Sequence, residues 1–337
     1  MRSTRHHLLA VAVAVSAATC VIAAVAGRPL FAQQPPAAAP ALRVIQVAPQ
    51  VHLIAGDGGN ITVQSGPDGI VLVDSGAGQR TAEVLAAVRS ISNRPIRYII
   101  NTSAEPAYVG GNIEIAPAGE GLAGGGGGGA AFAGVRTGAA RLAHENVLLR
   151  MSAPAGEKAP FAEGAWPSEA YIDKKNLYLN GEAIQLIHAN ALTDADSIVF
   201  FRRSDVIATG HVVDTTRFPM IDLAKGGSIN GEITALNLLV DMAVPPTPLV
   251  WQEGGTKIIP GRGYVLEQAD LLEYRDMVTV VRDVIQDQIK RGMTLDQIRR
   301  ADPTRGYNTR YGATTGPWTT AMFVEAVYAS LTKGAAR

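Results

Sequence analysis

The chain predicts a single α/β domain preceded by an export segment, on three observations. Apolar runs of strand length alternate with helix-period stretches from residue 43 onward. No clean linker separates them after residue 42, which favours one domain over two. The balance of 47% hydrophobic and 18% charged residues over 337 positions is that of a packed protein with a large core.

The N-terminus reads as an address. Arg2 and Arg5 precede an almost unbroken Ala/Val/Leu run from Leu8 to Gly27, the form of an export signal with cleavage after Ala32. The signal takes residues 1–32, and a Pro/Ala-rich linker takes 33–42. The same apolar run is long enough to stay as an uncleaved anchor, which would be the chain's one route to a membrane. Either way the domain at 43–337 is exported, periplasmic or extracellular. The lone Cys20 lies inside the apolar run and excludes a disulfide scaffold. Thirty Lys+Arg against thirty Asp+Glu, with no dense basic run, excludes a nucleic-acid partner.

Along the domain, Val44 to Ile54, Ile61 to Val63 and Ile70 to Asp74 read as strands. Gly66-Pro67-Asp68-Gly69 turns the chain, because proline presets φ and glycine accepts positive φ. Gln79 to Ile91 has apolar residues at helical spacing and feeds a buried strand from Ile96 to Ile100. Further strands are expected at Ile184 to Ala189, Ser197 to Phe201, Val206 to Thr209 and Thr256 to Ile259. Helices are expected over Gly231 to Ala243, Glu267 to Gly292 and Thr319 to Lys333. Lys290 and Arg291 in a last turn, followed by Gly292, mark a helix C-terminus. The stretch 116–138, with glycine at every position from Gly124 to Gly129, predicts a mobile surface loop. It has no Lys-Ser/Thr after the glycines and so lacks the P-loop signature.

The strand at Ile96 runs into Asn101-Thr102-Ser103-Ala104-Glu105-Pro106-Ala107-Tyr108-Val109-Gly110-Gly111-Asn112. This resembles the metallo-β-lactamase superfamily, whose pattern there is Asn-Thr-His-x-His-x-Asp-His-x-Gly-Gly-Asn. Val73-Asp74-Ser75-Gly76, Leu192-Thr193-Asp194-Ala195-Asp196, Gly210-His211 and Ile259-Pro260-Gly261-Arg262-Gly263 agree in the same order. The resemblance runs from about Val44 to Tyr274. It implies an αββα four-layer sandwich, an active site along one edge of the sheets, and two zinc ions that turn a shared water into hydroxide.

This chain departs from that pattern at all seven ligand positions. Ser103 and Glu105 stand for the first two histidines, Ala107 and Tyr108 for the Asp-His pair, Leu192 for the next histidine, His211 for the bridging aspartate and Arg262 for the last histidine. Glu105 and His211 are the reasonable donors left, too few for tightly held zinc, and a guanidinium in the same pocket repels a dication. No cofactor is therefore expected. Ser103, Glu105, Tyr108, Leu192, His211 and Arg262 become a predicted ligand pocket, with an ion pair between Glu105 and Arg262 replacing the metals as its electrostatic centre.

Of the remaining histidines, His52 reads as a strand packing residue and His144 as a hydrogen-bonded structural one. For His188 the structural reading outweighs a place in the pocket. Asp194 and Asp196 read as loop ties. Two functions stay open. One is a non-catalytic pseudoenzyme that binds a small molecule or a protein in the former cleft. The alternative is a hydrolase of an ester, lactam or related bond, either with a single weakly held metal on Glu105 and His211, or metal-free with Ser103 as nucleophile and His211 as base.

Overall fold

The computed structural model describes residues 41–121, 138–153, 157–246 and 254–333. The expected export segment (1–32), residues 33–40 of the expected linker and residues 122–137 of the glycine-rich stretch lie outside the described residues. The elements in chain order are β1 (Arg43–Ala48), β2 (Val51–Ala55), β3 (Ile61–Gly66), β4 (Gly69–Val73), α1 (Thr81–Ile91), β5 (Ile96–Asn101), α2 (Pro106–Val109), α3 (Asn112–Ile115), β6 (Ala140–His144), α4 (Glu145–Met151), β7 (Glu169–Tyr171), β8 (Lys174–Leu179), β9 (Glu182–Ala189), β10 (Asp196–Phe201), β11 (Val206–Asp214), α5 (Ile229–Met242), β12 (Lys257–Arg262), α6 (Gln268–Lys290), α7 (Leu295–Ala301), α8 (Asn308–Tyr311) and α9 (Thr320–Lys333).

The strands form two sheets. One has the order β1-β2-β3-β4-β5-β6-β7, antiparallel as far as β4 and parallel beyond it. The other has the order β12-β11-β10-β9-β8, in which β12 is parallel to β11 and the rest are antiparallel. Val71, Val73 and Ile100 of the first sheet share a core with Val199, Phe201 and Ala208 of the second. The outer face of the first sheet packs Ile70, Leu72 and Ile99 against Val84 and Val88 of α1. The outer face of the second packs Ile198 and Ile207 with Leu236 of α5, Val278 of α6 and Phe323 of α9. Each such side chain, fully buried, contributes about 1.5–3 kcal/mol from removed apolar surface. The layers are helix, sheet, sheet, helix, as expected of the αββα sandwich.

Local chemistry accounts for most boundaries. The expected strand Val44 to Ile54 is a hairpin of β1 and β2, broken at Pro49 and Gln50, because proline has no N–H to give to a ladder. β10 and β11 are buried at every position, which is why they read as continuous apolar runs. α6 ends at Lys290 with Gly292 at φ +77°, the left-handed position that glycine takes without a Cβ penalty. β8 and β9 turn through Asn180 and Gly181, at φ 55° and 75°. This is the Asn-Gly signal of a tight hairpin, here flanked by strands the sequence reading does not place as a pair.

The two sheets are keyed by polar contacts as well as by apolar packing. Ser197 N donates to Thr102 O at 2.9 Å. Gln64 Nε2 of β3 donates to Glu182 Oε1 of β9 at 3.1 Å. Asn60, just before β3, gives its N–H to Gly261 O at 2.8 Å and its Nδ2 to the carbonyls of Pro260 and Gly263 at 2.8 and 3.0 Å. These contacts fix the sheet edge at which the strand ends converge.

Candidate functional site

At that edge lies a cleft of about 230 Å³ whose lining includes Glu105, Tyr108, Leu192, His211 and Arg262. Five of the six residues expected in the pocket therefore meet there. Ser103 does not line it. It is fully buried, and its Oγ accepts from Glu105 N at 3.3 Å. No hydrogen bond joins Ser103 to His211 among the described residues, so the serine is not placed as a nucleophile facing the cleft.

His211 comes from β11 after Gly210, whose φ of +50° and close approach to Thr102 leave no room for a Cβ. Its Nδ1 meets Asp196 Oδ1 of β10 at 3.0 Å. Asp196 is fully buried and also accepts from Thr193 N at 2.7 Å and Thr193 Oγ1 at 2.9 Å. Burial works against protonation of His211, but the charge and hydrogen bond of Asp196, helped by Glu105 and Asp214, outweigh it, and its pKa is raised. With Nδ1 engaged, Nε2 is the ring nitrogen the cleft can address. Tyr108 stands edge-on to the His211 ring with centroids 5.5 Å apart. Its burial pushes the phenol pKa up, so it stays a neutral hydroxyl. Gly261 makes space for that hydroxyl, since a Cβ there would lie 2.6 Å from it.

The expected Glu105–Arg262 pair does not form. Glu105 Oε1 is 2.5 Å from Lys225 Nζ, and Lys225 also reaches Asp222 Oδ2 at 3.1 Å. Arg262 instead faces Asp214, Nε to Oδ2 at 3.9 Å. The cause is strand register: β11 and β12 run parallel with Asp214 opposite Arg262. Asp214 also receives Arg217 Nε on Oδ2 at 2.8 Å, and Thr216 N and Oγ1 on Oδ1 at 2.9 and 2.5 Å. Asp214 and Arg217, which also line the cleft, and Lys225, which binds Glu105, are residues of the candidate site that sequence reasoning missed. A signal for two of them was present in Asp214-Thr215-Thr216-Arg217, a turn motif with opposite charges three apart just beyond a buried strand.

The other residues singled out are structural. His144 Nδ1 accepts from Asn146 N at 3.2 Å at the start of α4, and its ring stacks on His188 at 3.8 Å. His188 Nε2 contacts Asp194 O at 2.8 Å, away from the cleft lining. Asp194 pairs with Arg150, while its own N–H donates to Lys225 O at 2.9 Å. His52 lies in β2 with Nδ1 buried and unpartnered, and burial lowers its pKa. Asp74, at φ +65°, accepts from Thr102 N and Oγ1, both at 2.8 Å, and burial pushes its pKa up to about 7.

The residues present do not fit a dinuclear metal centre. Glu105 is engaged by Lys225, His211 Nδ1 by Asp196 and Asp214 by Arg217, and two guanidinium groups face the same space. Among the described residues no group of three or more His, Cys, Asp or Glu side chains is placed to hold a metal ion.

No protein-family model and no curated protein matches the chain. Solved structures do. The stereoselective inverting sec-alkylsulfatase Pisa1 from Pseudomonas sp. superposes with a TM-score of 0.57 at 14% identity, over 86% of this chain and 50% of that one. This chain thus spans about half the length of the sulfatase. A metallo-β-lactamase from Pontibacter korlensis superposes with a TM-score of 0.50 at 14% identity, over 71% of this chain and 99% of that one. At such identities the likeness speaks to architecture alone, and it agrees with the two sheets and their covering helices. The chain has the metallo-β-lactamase fold, with the ligand positions of that superfamily's pattern substituted.

Proposed function

We propose that this chain is an exported, non-catalytic protein that uses the cleft of a metallo-β-lactamase fold to bind a small molecule or a protein partner. One observation carries the reading: each carboxylate that the cleft contributes is closed by a cation of the same chain, Glu105 by Lys225 and Asp214 by Arg217. Charge that the superfamily's pattern would give to metals is balanced internally, while the turns and strand ends around the cleft are kept.

Metal analysis and a turnover screen test this. Protein refolded with zinc, manganese or iron and then dialysed should retain near-zero metal per chain. It should also leave ester, lactam and phosphodiester substrates intact. One ion per chain, lost in Glu105→Ala or His211→Ala, would overturn the reading, as would turnover of any of these substrates. Export is tested by N-terminal sequencing of the secreted protein, which should begin at Gln33, the residue after the proposed cleavage point.

A second reading is supported by the His211–Asp196 couple, because an imidazole oriented by a buried carboxylate on a cleft wall is what a general base needs. In that reading the chain is a metal-free hydrolase in which His211 activates water. Its signature is turnover that survives chelator and disappears in His211→Ala.

A further inference from the structure

At the polar end of the cleft one guanidinium, that of Arg262, is not engaged by any carboxylate at hydrogen-bond distance among the described residues. Arg217, three residues beyond Asp214 in the bend after β11, and Arg262 of β12 both approach the same oxygen, Oδ2. Arg217 reaches it at 2.8 Å, while Arg262 stands 3.9 Å away, beyond hydrogen-bond reach. The other oxygen of Asp214 is taken by Thr216. Among the described residues the Arg262 side chain has no hydrogen-bond acceptor, although the side chain is only 30% exposed. Glu105, the other carboxylate on the lining, is bound by Lys225 and offers Arg262 nothing. Once these pairs are closed, the Arg262 guanidinium is left with its planar fork of donors unused, on the lining of this cleft and of the neighbouring groove beside Asn60 and Thr216. The walls next to it are apolar: Pro106, Leu192, Met220 and Pro317, with the neutral Tyr108 below.

We infer that the cleft takes a small amphiphilic oxyanion, a carboxylate or a sulfate or phosphate monoester, with its charged head on Arg262 beside Arg217 and a short apolar body against Leu192 and Met220. This rests on the binding reading above and adds the chemistry of the ligand. Two oxygens of any of these head groups match the guanidinium fork, whereas a head without such oxygens leaves its donors unanswered. The apolar wall sets the second requirement, since a bare inorganic anion would leave it unfilled.

Calorimetric titration of the purified full chain with hexanoate, hexyl sulfate, hexyl phosphate and hexanol tests the inference, and the three anions separate the head groups. At least one hexyl anion should bind saturably at millimolar concentration or below, and hexanol should not. Arg262→Gln should weaken that anion about tenfold or more, as loss of a charge-assisted hydrogen bond does. Arg262→Lys, which keeps the charge and loses the fork, should fall between. Thermal melts of both variants confirm that they are folded. Failure of every anion to bind, hexanol binding as tightly as the anions, or unchanged affinity in Arg262→Gln would each overturn the inference while leaving the non-catalytic reading standing. Conversely, consumption of an anion during titration with Arg262 dependence intact would overturn the non-catalytic reading and leave the ligand class standing.

Discussion

His211 and Asp196 face each other across neighbouring strands, Nδ1 to Oδ1 at 3.0 Å, with both residues closed to bulk solvent. Removing one partner of such a buried pair costs roughly 3–5 kcal/mol, because the other is left uncompensated. A raised folded pKa means that this stabilisation is fully present below the ordinary histidine value of 6.5 and is lost as pH rises through the folded pKa. Asp196→Asn should therefore be destabilised most at acidic pH, and its deficit against the parent should shrink toward alkaline pH. Urea denaturation at several pH values measures the difference.

Glu232 is the opposite case. It is fully buried on α5, neither carboxyl oxygen has a partner, and burial, with Asp196 adding to it, raises its pKa well above the usual value. The carboxyl suits the fold only while protonated, so stability is lost as pH rises from the unfolded pKa toward the folded one. Glu232→Gln should match the parent at pH 4 and melt a few degrees higher at pH 8. Equal melting temperatures at pH 8 would refute this.

Gly110 and Gly111 keep the backbone of the α2–α3 corner against the loop at Ser75 to Gly78. A Cβ on Gly111 would drive into the carbonyl of Ser75, whose own N–H donates to Tyr108 O at 2.8 Å. Gly111→Ala should cost about 1–3 kcal/mol by overpacking. Gly306→Ala, with nothing within 4 Å of the added carbon, should stay within about 0.5 kcal/mol of the parent. Chemical melts of the two variants side by side make the comparison.

Lys225 bridges Glu105 and Asp222 at the rim of the cleft with 38% of its side chain exposed. Pairs so open to water contribute about 0–1 kcal/mol. Lys225→Met should accordingly lower stability by no more than that, and the loss should vanish in molar salt. A larger loss that persists in salt would mean the bridge is structural.

How far the site was legible follows from what each residue depends on. The corner at Asn101 to Asn112 was readable because its glycines and asparagines answer to backbone geometry, such as the 2.8 Å bond from Asn112 Nδ2 to Asn101 Oδ1. That geometry stays the same whether or not a metal lies beside it. The meeting of Glu105, Tyr108, Leu192, His211 and Arg262 followed from the same framework. Their partners did not. Glu105 finds Lys225 120 positions away, a contact that no local pattern announces. Arg262 finds Asp214 because of the β11–β12 register, whose full extent was hidden when β11 was expected to end at Thr209. Strands β6, β7 and β8 went unread for a simpler reason. They are short or, in β8, exposed at alternate positions with lysines at the start, and so lack a dense apolar run.

Asn60 gives the cleft a property that its lining alone would not. Apolar faces slide over one another at little cost, since contact between them has no preferred direction. Three directional bonds from one amide side chain and its backbone to the end of β12 act as an index pin, holding the two sheets at one offset. The height of Arg262 above the neighbouring strand is thus decided before anything enters. A ligand of the proposed kind would have to conform to a mould already set.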